Sequence, residues 1–151
     1  MAFGNPYGDP WSIEEVADAC DLLVDSGVRQ ISLADTVGVA TLSQIKETVA
    51  AVLAAHEGIE IGVHLHARPQ EAAARIRAAY EAGCRRFDAA IGGLGGCPFA
   101  QDALVGNIPT EKVVEALQQR GAELPALKPL DSLLKATAGI AAKFSASQPA
   151  D

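Results

Sequence analysis

The sequence predicts an α/β protein of alternating strand–helix units with parallel strands, and three observations predict it. Candidate helices end at Gly27, at Glu57-Gly58 and at Gly83, on average about 28 residues apart, which matches one supersecondary unit. Short stretches that read as strands stand between them, and strands joined through a helix run parallel. Asp35, His64, His66 and a glycine-rich loop at 92–98 all fall at the carboxyl ends of those stretches. Ligands bind there both in a doubly wound sheet and in a (β/α)8 barrel. A whole barrel takes about 250 residues. With 151 residues this chain supplies about four strands, half of one.

In chain order, Phe3 is placed to close a strand, and residues 4–10 are turn chemistry. Ser12 followed by Glu15 reads as a capping box. Val16, Ala19, Cys20, Leu23 and Val24 then recur at helical spacing until Gly27. Residues 29–34 read as a strand and 35–38 as a loop. Thr41 or Ser43 starts a second helix with Ile45, Val49, Val52 and Leu53 inward. Residues 60–65 form the next strand. Pro69 and Gln70 open a third helix with Ala73, Ile76, Ala79 and Tyr80 inward, and residues 85–91 form another strand. Thr110 with Glu111 begins a fourth helix through Leu117. A last helix over 129–144 turns Leu130, Leu133, Leu134, Thr137, Ile140 and Ala141 inward. One domain over 1–144 with a frayed tail at 145–151 is the expected organisation.

Hydrophobic residues make up 49% and charged residues 21%, which is globular material. A net charge of −7 argues against a general nucleic-acid binder. No apolar run is long enough to span a bilayer, and no secretory signal is visible at the start, so no membrane partner is expected. Cys20, Cys84 and Cys97 are odd in number and unrelated in spacing, which points to a reducing cytoplasm rather than a disulfide framework.

His64 and His66 are one residue apart on a strand, so their side chains share a face. Two imidazoles there suit a metal ion; the plain alternative is histidines satisfied by hydrogen bonds or solvent. Asn107 can add an amide oxygen, although turn chemistry alone also explains it. Oxygen and nitrogen donors without thiolate suit Mg2+ or Mn2+. Asp35 reads equally as a general acid or base and as a cap for its loop. Cys97, in the glycine-rich loop, can exchange a proton if its pKa is tuned; a bystander cysteine beside a proline is the other reading. The loop lacks the Gly-Lys signature of a phosphate cradle.

Ser32-Leu33-Ala34-Asp35-Thr36-Val37-Gly38, His64-Leu65-His66, Gly93-Leu94-Gly95-Gly96-Cys97-Pro98 and Gly106-Asn107 occur in this order. The set resembles the 3-hydroxy-3-methylglutaryl-CoA lyase family, part of a larger group of TIM-barrel, metal-dependent lyases and aldolases. Phe3-Gly4-Asn5-Pro6-Tyr7 resembles that family's fifth-strand loop, so the likeness runs over about residues 2–143. It implies the C-terminal half of a (β/α)8 TIM barrel, about strands 5–8, plus a C-terminal helix. It also implies a retro-Claisen cleavage of an acyl-CoA substrate, hydroxymethylglutaryl-CoA, to acetoacetate and acetyl-CoA. By the same resemblance His64, His66 and Asn107 are ligands of a divalent metal, Mg2+ or Mn2+. Asp35 and His64 help remove the hydroxyl proton, and Cys97 returns a proton to the enolate.

Two departures stand out. Family members follow the second histidine with Asp-Thr, whereas this chain has Ala67-Arg68, which places Arg68 to meet a carboxylate or a CoA phosphate. The first-strand Arg-Asp pair has no counterpart. The expected partners are therefore a missing N-terminal half barrel or further copies of this chain, and no lyase turnover is expected from it alone. The competing readings are a metal-dependent aldolase, condensing synthase or carboxyltransferase of the same group, and a non-catalytic fragment.

Overall fold

The computed structural model describes residues 1–96 and 105–145. Four helices and three strands alternate in the expected order: α1 (Ile13–Asp25), β1 (Gln30–Asp35), α2 (Leu42–Ala55), β2 (Glu60–Ala67), α3 (Ala72–Glu81), β3 (Arg86–Asp88) and α4 (Thr110–Gln118). A short strand β4 (Gly106–Asn107) precedes α4, and α5 (Asp131–Ser145) closes the described chain. Of the tail expected at 145–151, Ser145 ends α5, and 146–151 lie outside the described residues.

Helix starts follow local chemistry. Ser12 accepts a hydrogen bond from Glu15 N, so half of the expected capping box forms at α1. The full reciprocal box sits at α2, where Thr41 Oγ1 accepts from Gln44 N and Thr41 N donates to Gln44 Oε1. Such a cap satisfies amides that the helix itself leaves unpaired.

β1 and β2 run parallel in register from Gln30↔Glu60 to Asp35↔Leu65. β3 joins the other edge of β2 in parallel, from Gly62↔Arg86 to His64↔Asp88. The order β1-β2-β3 follows the sequence, and α1 packs on α2, α2 on α3 and α3 on α4. Right-handed crossovers between sequential strands put every helix on one face. That arrangement is an arc of a barrel; a doubly wound sheet needs helices on both faces.

The core lies between the sheet and this helix layer. Ile31, Leu33, Ile61, Val63 and Leu65 meet Val16, Cys20, Ile45, Val49, Val52, Ile76, Val113 and Leu117. The expected helix stripes hold in α2 at Ile45, Val49 and Val52, all fully buried. They are wrong in detail elsewhere. On α1, Leu23 is exposed and only Val16 and Cys20 are buried, because no described element packs over that side. On α3 the buried set includes Arg75, a charged residue the pattern passed over. On α5, Leu133 and Ile140 are exposed, while Leu134 and Thr137 pack over Gly92.

β3 is also shorter than expected. Ala90 N donates to Ile108 O and Thr110 N to Ala90 O, which turns the chain out of the sheet into a 3-10 turn at Ile91–Gly93. Gly93 sits at φ +66° with the Asn107 carbonyl oxygen 3.0 Å from where a Cβ would stand. A side chain there would be strained by the backbone and blocked by the neighbour. Among the described residues no helix is long and apolar enough to cross a membrane.

Candidate metal centre at the strand ends

The sheet face opposite the helices carries Ser32, Ala34, His64, Arg86 and Asp88, which alternate with the core residues along β1, β2 and β3. Gly62 is part of this face for a steric reason. A Cβ there would lie 2.9 Å from Arg86 Nε, so the arginine side chain lies across the glycine. Arg86 donates to Ser32 Oγ, and Ser32 Oγ donates to Asp88 Oδ2 at 2.5 Å. These bonds tie β1 to β3 over β2.

His64 and His66 share a face as the spacing demands. Their ring centroids are 5.0 Å apart and the rings meet edge to face. Burial pushes the His64 imidazole below its usual pKa, and the neighbouring His66 adds to that, while Asp88 opposes it. A neutral ring is the form that can bind a cation.

His66 is 5% exposed, and its Nδ1 lies 3.1 Å from the Asp35 carbonyl oxygen. A carbonyl only accepts, so Nδ1 carries the hydrogen and Nε2 is left as the donor atom. Asn107 is the residue directly opposite His66 in the antiparallel pairing of β4 with β2. Its Nδ2 donates to Leu94 O at 2.9 Å, which makes Oδ1 the end available to a cation. Glycines 93, 95 and 96 with Ala67 and Pro69 enclose a hollow of about 310 Å³ next to this amide. Two imidazoles and one amide oxygen are thus brought together and fit a divalent cation. Among the described residues no group of three or more His, Cys, Asp or Glu gathers to hold a metal ion.

Of the two readings of Asp35, the loop cap is the one its contacts match. Asp35 ends β1 instead of opening the loop, and its side chain follows Ile31 and Leu33 toward the helices. It is 1% exposed, and its carboxylate accepts from Val39 N, Ala40 N and Arg75 Nη1, the last at 2.6 Å. Burial pushes this carboxyl above its usual value, against the pull of Arg75 and the two amides. It is the backbone carbonyl of Asp35, and not its carboxylate, that meets the histidine pair. Cys97 lies outside the described residues; the chain leading to it is described as far as Gly96. Among the described residues, Cys20 and Cys84 are free and buried.

Sequence reasoning missed Arg75 and the β2–β4 pairing. Arg75 stands at a core position of α3, and a lone arginine in an apolar helical stripe is a signal that a partner carboxylate is near. The β4 pair is only two residues long, too short for any periodicity to reveal.

Comparison with known proteins identifies the family and agrees with the fold. The family model described as HMGL-like matches residues 1–138. An (R)-citramalyl-CoA lyase of Chloroflexus aurantiacus is 38% identical over 142 residues, 91% of this chain and 44% of that protein. A hydroxymethylglutaryl-CoA lyase of Bacillus subtilis is 34% identical over 147 residues, 97% of this chain and 48% of that protein. The structure of an HMG-CoA lyase from Acinetobacter baumannii, in complex with coenzyme A and 3-methylmalate, superposes with a TM-score of 0.79 at 37% identity, covering 99% of this chain and 48% of that one. The chain spans about half the length of the curated relatives it matches. With the family model covering most of its length, the chain belongs to the HMGL-like family.

Proposed function

We propose that this chain is the part of a (β/α)8 lyase, about strands 5–8 with the C-terminal helix, that carries the metal-binding imidazoles. The complete enzyme cleaves 3-hydroxy-3-methylglutaryl-CoA to acetoacetate and acetyl-CoA. The observation that carries this reading is the register that makes His66 and Asn107 neighbours while the His64 ring stands 5.0 Å from that of His66. His64, His66 and Asn107 would hold Mg2+ or Mn2+. The cation supplies Lewis acidity toward the hydroxyl and carboxylate oxygens of the substrate.

The reaction needs a base for the C3 hydroxyl proton. The C2–C3 bond then breaks, its electron pair forms the enolate of acetyl-CoA, and a proton is returned to that carbon. Of the two acceptors the resemblance offers, Arg75 holds the Asp35 carboxylate on the helix side, and His64 would accept the proton only with its ring released from the cation. Cys97 is the proton donor in this reading. Arg68 would meet the substrate's carboxylate or a CoA phosphate.

The carboxylate ligand and the arginine the family carries on its first strand would come from an N-terminal half barrel; self-association would supply strands but not that pair. Two features support an added partner. The outer edge of β1 meets Ala2 N at Ala34 O and otherwise borders an apolar groove of about 310 Å³ lined by Trp11, Val16, Cys20, Leu23 and Ile31. Leu22 beside it is 70% exposed.

Two observations favour a second acyl group: the relative at 38% identity is a citramalyl-CoA lyase, and Ala67-Arg68 replaces the family's Asp-Thr. Acetyl-CoA release from each substrate, in Mn2+, tests both. The chain alone should release none. Joined to the N-terminal half of the Bacillus subtilis lyase, it should turn over one substrate in preference. Turnover by the chain alone, or turnover of neither by the joined protein, would contradict the reading.

A further inference from the structure

Arg75 sits in the helix layer, 8% exposed, on the far side of the sheet from the histidine pair. Its guanidinium forks. Nη1 donates to Asp35 Oδ2 at 2.6 Å, and Nη2 donates to Gly38 O at 3.0 Å and lies 3.5 Å from Glu71 Oε2. Asp35 in turn accepts from Val39 N and Ala40 N. One side chain therefore pins both ends of the turn that leaves β1.

That turn is in contact with the candidate centre at two places. The Asp35 carbonyl accepts from His66 Nδ1 at 3.1 Å. Gly38, at φ +70°, packs so closely that a Cβ would lie 3.4 Å from His66 O and 2.6 Å from Val105 Cγ1. A shift of the turn is thus felt at His66 and at the segment that carries Asn107. We infer that Arg75 is a positioning residue: by holding Asp35 and Gly38 it fixes the carbonyl that keeps His66 as the Nδ1–H tautomer and so presents Nε2 to a cation. The cation half of this inference rests on the reading of His66 as a ligand; the tautomer half does not. Lysine would keep the charge at this position without the fork that reaches both Asp35 and Gly38.

The test uses the 151-residue chain with Mn2+ as probe, and reads three quantities: the 15N imidazole signals of His66, Mn2+ affinity by calorimetry, and the melting temperature. Arg75→Met should leave His66 a mixture of tautomers and weaken Mn2+ binding about 10–100-fold, the range for loss of an orienting partner of a ligand. Arg75→Lys should restore most of the melting temperature and only part of the affinity. If Arg75→Met does not fold, the charge-free pair Asp35→Asn with Arg75→Met is measured for the same two signals. An Nδ1–H His66 with Mn2+ affinity within twofold of the parent, in either folded variant, overturns the inference. Absence of Mn2+ binding by the parent overturns the ligand reading alone, and the tautomer of His66 in the variants then decides the positioning role.

Discussion

The two faces of one sheet behave as different materials. On the helix side, Ile31, Leu33, Ile61, Val63 and Leu65 are almost wholly buried, and the one carboxylate among them is met by an arginine and two amides. On the opposite side, Ser32, His64, Arg86 and Asp88 are partly exposed, and Ser32, Arg86 and Asp88 are bonded to one another. A strand alternates its side chains with a period of two, so the same backbone supplies both. Stability is concentrated on one face, and the groups that can do chemistry are held on the other. Pairs of substitutions, one per face, measure that division.

The largest contrast should come from two arginines. Arg75→Met leaves a buried carboxylate without its charge partner and should cost about 3–5 kcal/mol in urea denaturation. Arg86→Met on the open face removes partly exposed pairs with Glu60 and Asp88 and should cost about 0–1 kcal/mol. Equal losses would erase the distinction between the faces. Next comes Ile45→Ala, at a fully buried site on α2, with an expected loss of about 2–5 kcal/mol. His64→Ala, at a partly exposed site, should stay within about 0.5 kcal/mol of the parent by the same measurement. Thr41→Ala removes the reciprocal cap of α2 and should cost about 1 kcal/mol.

The smallest effect is a titration. His64 has its folded-state pKa lowered, so folding favours the neutral ring. Its contribution to stability is complete above the ordinary histidine value of about 6.5 and is lost as the pH falls through the lowered value. The His64 ring signals in NMR should therefore titrate below about 6.5. Asp88→Asn, which removes the one charge that opposes the shift, should move the midpoint lower still. A midpoint above the ordinary value would mean that the ring is not buried as described.

Much of this division is legible in the sequence because it rests on period and punctuation. The glycines at 27, 58 and 83 mark the helix ends, each at positive φ. Ile45, Val49 and Val52 keep a helical stripe, and a His-x-His on a strand must share a face. What was not legible depends on contacts between segments far apart in the chain. Asp35, at a strand end, reads equally as an acid or base and as a loop cap, and local sequence does not separate the two. Its orientation depends on whether the strand includes it, and its partner, Arg75, is 40 residues away. Leu23, Leu133 and Ile140 fit helical stripes yet are exposed, since a stripe gives the apolar side of a helix and says nothing about what covers it. The β2–β4 pairing that brings Asn107 to His66 is two residues long and set by the glycine loop, so no local pattern announces it.

The central claim is that His64, His66 and Asn107 face one cation, and Mn2+ can report it directly, since the ion broadens NMR signals of nuclei close to it. On adding Mn2+ to the 151-residue chain, the ring signals of His64 and His66 and the side-chain amide of Asn107 should broaden first and together, while those of His56, on the helix side, stay sharp. Broadening that spares the two strand histidines, or reaches His56 at the same Mn2+ concentration, would contradict the account.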